Sequence, residues 1–159
     1  MQKTMNEKLE DFLKKLQTMS SEEICNEIEE LNDSIKLQQS KLDILNNKIF
    51  QEYKEKYNLS NFIGQEYFFT KPQKWSSVKK GILNKDDFQY YDYMKFNGVY
   101  SGEQINSLSI FEFQKDLTLN LNDKFALFAI PDEEYSDFYF DKTKPIPLFN
   151  TWEILFFKI

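Results

Sequence analysis

Apolar residues in the first third of the chain recur with a helical period. Met5, Leu9, Phe12, Leu16 and Met19 are spaced four, three, four and three apart, which puts them on one stripe of a short helix over about residues 5–18. Ser20 with Glu23 three positions on reads as a capping box that opens a second, longer helix over about residues 21–56. Within it Ile28, Ile35, Leu42 and Ile49 share heptad position a, and Ile24, Leu31, Gln38 and Leu45 share position d. Ile at a with Leu at d favours a parallel two-stranded coiled coil, and Gln38 is a polar break that fixes register at some cost in stability. The step of five from Met19 to Ile24 matches neither helical spacing nor a single stutter, so a turn near Ser20 is expected. Residues 1–57 hold no glycine, proline or tryptophan, and we read them as a helical hairpin or coiled-coil arm. The seam is expected to pair two copies into a homodimer; the alternative is that it packs on the first helix or on the rest of the chain. Its flanks are mostly neutral, with Asn32, Gln39, Asn46 and Tyr53 at e and Glu27, Ser34, Lys41 and Lys48 at g, so few ion pairs specify its partner.

From Gln65 onward the period changes to two, and aromatic and β-branched residues accumulate. Asn97-Gly98, lying between residues 90–96 and Val99-Tyr100, matches a type I′ hairpin turn, because both central positions of that turn need positive φ. Leu117, Leu119 and Leu121 alternate with polar residues, and Asn122-Asp123 offers a reversal into residues 124–130. Further strands are expected at Tyr67–Thr70, Ser77–Leu83, Ser109–Gln114, Tyr135–Phe140 and Thr151–Lys158. The fold class is therefore α+β, with the arm joined to a head, residues 58–159, built as a small antiparallel β-barrel or sandwich.

Composition narrows the chemistry. The chain has no histidine and no arginine, so its twenty cations are all lysine, set against twenty-six carboxylates for a net charge of −6. Without histidine there is no imidazole base for a serine or cysteine nucleophile, and without arginine no planar fork for bidentate grip on phosphate. The single cysteine, Cys25, sits among acids with no cation beside it in the chain, which makes it a poor nucleophile, and it has no intrachain disulfide partner. A carboxylate pair such as Asp92 and Glu103, imagined on opposite arms of the Asn97-Gly98 hairpin, is the one catalytic route left, and exposed hairpin carboxylates explain those residues as well. We expect no catalytic residue, no metal site and no cofactor. The amino terminus has no apolar signal-like run and no segment is long enough to span a bilayer, so a cytoplasmic protein without a membrane partner is expected.

Two segments carry candidate recognition chemistry. Asp132, Glu133, Glu134, Tyr135, Asp137, Tyr139 and Asp141 interleave acids with aromatics, suited to docking a basic protein partner or to mimicking the charge spacing of a nucleic-acid backbone; an edge strand protected by charge gives the same pattern. Lys71, Lys74, Trp75, Lys79 and Lys80 could instead form a stacking platform with a cationic funnel for a nucleotide or single strand. Residues 58–159 carry eleven lysines against fourteen acids, which disfavours this alternative. Lys, Asn, Ile, Phe and Tyr are abundant while Gly, Pro, Ala and Arg together number ten, a bias expected of an AT-rich genome. In this profile alone the chain resembles accessory proteins of phages and mobile elements, including anti-CRISPR inhibitors of host defence nucleases. The function expected is binding and occlusion by a non-catalytic interaction protein. A structural or scaffold component of a virion, whose whole task is assembly, is the third possibility.

Overall fold

The computed structural model describes residues 2–132 and 144–159, and the chain divides into two units, residues 1–45 and 46–159. The first unit is wholly helical. Helix α1, Met5–Leu16, begins where the Thr4 hydroxyl accepts a hydrogen bond from the Glu7 N–H at 3.1 Å, and Lys3 pairs with Asp11 along its first turns. That lysine, through its hydrogen bond and its charge, holds the Asp11 carboxyl below its ordinary pKa. Helix α2, Ser21–Lys56, starts at the expected place: the Ser20 hydroxyl accepts from the Glu23 N–H at 3.2 Å and donates to the Glu23 carboxylate at 3.3 Å. No described residue of this first unit is buried.

The second unit is organised by one five-stranded, fully antiparallel sheet of β1 (Glu66–Thr70), β2 (Lys79–Ile82), β3 (Lys95–Ser101), β4 (Lys124–Pro131) and β5 (Thr151–Lys158), in the order β2-β1-β5-β4-β3. The α+β class holds, but among the described residues the sheet is open, with β2 and β3 as its edges, and is neither closed into a barrel nor faced by a second sheet. Both faces are covered by helices and loops, so the central strands must be apolar on both sides, and Phe125–Ala129 and Ile154–Phe157 are unbroken buried runs. On one face Phe125, Leu127, Ile154 and Phe156 pack with Ile105, Phe111, Leu119, Ile146 and Leu148. On the other, Phe128, Leu155 and Phe157 meet Leu59, Phe62, Leu83, Met94 and Phe50, which is delivered by the last turns of α2. The Phe62 ring stacks on Phe157 at 4.6 Å, and Phe50 stacks on Phe96 at 5.7 Å.

Several expected features of the head are different in the fold. Asn97-Gly98 is not a hairpin turn: it lies inside β3, where the register with β4 shifts between Phe96 and Gly98. Gly98 does take positive φ, 130°, but as part of a bulge, and Asn97 is buried with its amide donating to the Ile146 carbonyl at 3.0 Å and its carbonyl accepting from the Ile146 N–H. Residues 90–91 end a helix, α3 (Lys85–Tyr91), which Asn84 caps by accepting from the Asp87 N–H at 2.7 Å. Asp92 thus follows α3 and Glu103 sits in the first turn of α4 (Gly102–Asn106), so the two are not on opposite arms of a hairpin.

Leu117–Leu121 forms no strand either. The Leu121 and Asp123 carbonyls accept from the Glu103 and Gly102 N–H groups at 3.2 and 2.8 Å, so the orphan donors at the start of α4 take acceptors that a sheet ladder would have needed. Residues 109–114 contribute only an isolated bridge between Val78 and Phe113. The expected strand at 135–140 lies outside the described residues.

Candidate functional site

The heptad seam of α2 lies open. Ile28, Leu31, Ile35, Leu42, Leu45 and Ile49 are all exposed, Ile35 and Leu45 by about two thirds (65% and 64%), and only Ile24 is half-buried. At mid-seam Ile35, Gln38 and Leu42 line a shallow depression with Ser34 and Gln39. Each of the six exposed aliphatic side chains is about half exposed and so forgoes roughly half of the 1.5–3 kcal/mol that burial of a fully exposed one supplies. Scattered exposed apolar residues need no explanation, whereas a continuous stripe of this length marks an interaction surface. Cys25 is an exposed free thiol at the flank of the same stripe.

The lysine-rich segment is brought together only in part. Lys71 lies 3.5 Å from Glu153, a buried carboxylate on β5 that also accepts from the Tyr93 hydroxyl at 2.8 Å. Burial and then that hydrogen bond push the Tyr93 phenol up to about 12. Burial, with Tyr67 and Glu153 nearby, also raises the Tyr91 phenol. Lys74 sits 5.0 Å above the Trp152 ring. Lys80 is 3.7 Å from Glu66, and Lys79 is exposed on the β2 edge strand. Trp75 is 86% exposed, on a left-handed backbone (φ 55°) that closes the 3-10 turn Pro72–Lys74. Lys71, Lys74 and Lys80 are therefore engaged with the protein's own acids and rings, and Trp75 projects without any of them recorded against its face.

A cleft of about 510 Å³ in the head escaped the sequence reading. Phe68, Leu119 and Phe125 line its interior, with Lys80 and Glu66 on one side and Lys158 and Asp123, 3.4 Å apart, on the other. These groups come from β1, β2, β5 and the turn before β4, and only the strand order joins them. Each lysine is matched by a carboxylate, so the cleft has no net cationic field with which to draw in a phosphate.

Of the acidic segment only Asp132 is described. It is half-buried just beyond β4, and its N–H donates to the Asn150 carbonyl at 2.9 Å. Glu133, Glu134, Tyr135, Asp137, Tyr139 and Asp141 lie outside the described residues. Among the described residues no helix is long and apolar enough to cross a membrane. No protein-family model, no curated protein and no solved structure matches the chain.

Proposed function

We propose that this chain is a non-catalytic interaction protein of the cytoplasm, self-assembled through a coiled coil of α2 and acting by binding and occlusion. The observation that carries the proposal is the exposed seam: six apolar positions in heptad register stand in solvent, and all but Ile49 belong to a unit with no buried residue among those described. A helix gains most of its stability in a protein from packing its apolar face, so this stripe calls for a partner helix. Specificity in this proposal belongs to the acidic aromatic segment from Asp132 to Asp141, whose carboxylates complement a lysine- or arginine-lined surface while its tyrosines supply buried area at low entropic cost. An inhibitor that competes for the nucleic-acid channel of a host defence nuclease fits this division of labour.

Light scattering during size exclusion, with absorbance read at 260 and 280 nm, tests the assembly. A nucleic-acid-free dimer that becomes a folded monomer in the Ile28→Lys, Ile35→Lys variant is the expected result, and an unchanged mass in that variant sinks the proposal. Neutralising Asp132, Glu133, Glu134 and Asp137 to Asn and Gln should abolish inhibition of a sensitive nuclease; full inhibition afterwards would exclude charge mimicry.

The exposure of Trp75 favours one second reading, in which that ring stacks on a nucleotide or single strand beside Lys79. Salt-sensitive binding of a labelled oligonucleotide, lost in Trp75→Ala, would be its signature.

A further inference from the structure

The charges along α2 are distributed in a way that selects both the partner of the seam and its direction. Residues 22–33 carry six acids, Glu22, Glu23, Glu27, Glu29, Glu30 and Asp33, and no lysine, whereas residues 34–49 carry Lys36, Lys41 and Lys48 against the single acid Asp43. The helix is continuous across both stretches, so over the seam it presents an acidic half and a basic half, beyond which Glu52 and Glu55 alternate with Lys54 and Lys56. Two copies laid parallel and in register would place six acids beside six acids at one end. Their flanking g-to-e′ neighbours would be Glu27 with Asn32, Ser34 with Gln39, Lys41 with Asn46 and Lys48 with Tyr53, none of them an ion pair.

Resting on the reading of α2 as a self-assembly helix, we infer that the seam takes a second copy of this chain in antiparallel orientation, with the two-fold axis crossing between Lys36 and Leu37. A two-fold interface requires that if one residue meets another, the reverse contact also forms. With the axis at that point every seam position finds a seam partner: Ile24 meets Ile49, Ile28 meets Leu45, Leu31 meets Leu42, and Ile35 meets Gln38. The only polar pair of layers then falls at the axis, where the two Gln38 side chains lie in adjacent layers and can hydrogen-bond each other. The same axis sets g opposite g, so that Glu27 faces Lys48 of the second copy twice over, and it lays the acidic half of each helix along the basic half of the other. The packing preference of Ile at a with Leu at d for parallel pairs is opposed here by charge and by the placing of Gln38.

The native Cys25 supplies the test. The antiparallel register brings position 25 of one copy beside position 46 of the other, and Asn46 is exposed. Within one chain the two positions are twenty-one residues apart, about 32 Å along a helix. Packed helices lie about 10 Å apart, so a bismaleimide of roughly that span can join them only between chains. Asn46→Cys protein is cross-linked, the dimer band digested, and the linked peptides identified by mass spectrometry, with the mass of untreated protein measured by light scattering. A dimer whose links join 25 to 46 is the expected result. A dimer linked 25 to 25 and 46 to 46 overturns the antiparallel orientation while leaving self-assembly standing, and a monomer overturns both.

A charge exchange provides a second measurement that needs no cysteine. Glu27→Lys should weaken the dimer severalfold, and adding Lys48→Glu should restore it. Failure of the second change to restore the dimer overturns the register.

Discussion

Replacing Asn97 with alanine separates the bulge from a hairpin turn, because the two place the same side chain in opposite environments. In the fold Asn97 is 1% exposed, and its amide and carbonyl satisfy both the C=O and the N–H of Ile146, a residue 2% exposed and forty-nine positions away in the chain. Alanine leaves those two backbone groups without partners in the interior. An orphaned buried polar group costs about 1–3 kcal/mol, so Asn97→Ala should lose roughly 2–5 kcal/mol, a large part of the 5–15 kcal/mol that holds a typical domain. An asparagine at the exposed tip of a hairpin would leave no buried group unpaired, and its replacement would cost only about 1 kcal/mol, from placing alanine at positive φ.

Urea unfolding followed by tryptophan fluorescence reads the difference, since Trp75 and Trp152 both lie in the second unit. With a slope of about 1.5 kcal/mol per molar, a 3 kcal/mol loss moves the midpoint by about 2 M without changing the slope. A midpoint shift of about 0.7 M or less, the size that turn strain alone would give, would refute the buried bridge to Ile146. Gly98 cannot make this distinction, because both arrangements give it positive φ and both predict strain on adding a side chain.

Buried and exposed positions of α2 should respond differently to truncation. Phe50→Ala opens a cavity among Phe96, Phe62 and Phe128 and should cost about 3–5 kcal/mol in the same urea assay, whereas Ile44→Ala, 69% exposed and off the seam, should stay within about 0.5 kcal/mol. Gly102→Ala should destabilise by about 1–3 kcal/mol, because its new methyl would meet the Asn120 backbone carbonyl, which cannot swing aside; Gly81→Ala, which meets only the tip of the Tyr67 side chain, should cost less when the two are compared by thermal unfolding. Alkaline pH should destabilise the head through Tyr93 and Tyr100, both pushed up to about 12 chiefly by burial. A raised folded-state pKa contributes stability that is complete below the ordinary value of about 10 and is lost as pH climbs toward 12. Thermal melts between pH 9 and 12 should therefore fall more steeply for the native protein than for the Tyr93→Phe, Tyr100→Phe variant, and parallel curves would exclude this origin.

What could be read from the chain was set by how local the determining interactions are. Ser20 and Glu23 are three residues apart, and the helix start they announce is where α2 begins. β1, β2, β4 and β5 sit where short apolar or aromatic runs indicated strands. Asn97-Gly98 misled because the turn and the bulge share the same local need, a glycine at positive φ, and only the distant Ile146 decides between them. The alternation at Leu117–Leu121 is a period-two pattern without a ladder, with the Leu121 carbonyl taken by α4. Closure of the sheet was equally out of reach: whether β2 and β3 meet depends on what covers the faces, and Phe50, Ile105 and Leu148 come from three separate stretches. For the candidate surfaces, heptad spacing announced the seam, whereas the pairing of Lys71 with Glu153 and of Lys158 with Asp123 spans 82 and 35 residues and left no local trace.

The same contrast bears on function. The head satisfies much of its own polarity: Lys71, Lys80 and Lys158 find carboxylates, Lys74 finds a ring, the bulge asparagine finds a backbone, and no buried side-chain polar atom among the described residues lacks a partner. Lysines paired in this way offer little long-range pull on an anionic ligand. The arm is the reverse case. Its apolar seam is unburied, and residues 22–49 pass from six acids to three lysines and one acid. That order suits the helix's own macrodipole, with Glu22 and Glu23 in the first turn and Lys54 and Lys56 in the last. The proposed antiparallel neighbour would add to this by setting Glu27 opposite Lys48 of the second copy. The charge order of α2 therefore serves both the helix's own dipole and the proposed pairing, whereas the exposed apolar seam serves the pairing alone, and it is the seam that carries the proposal.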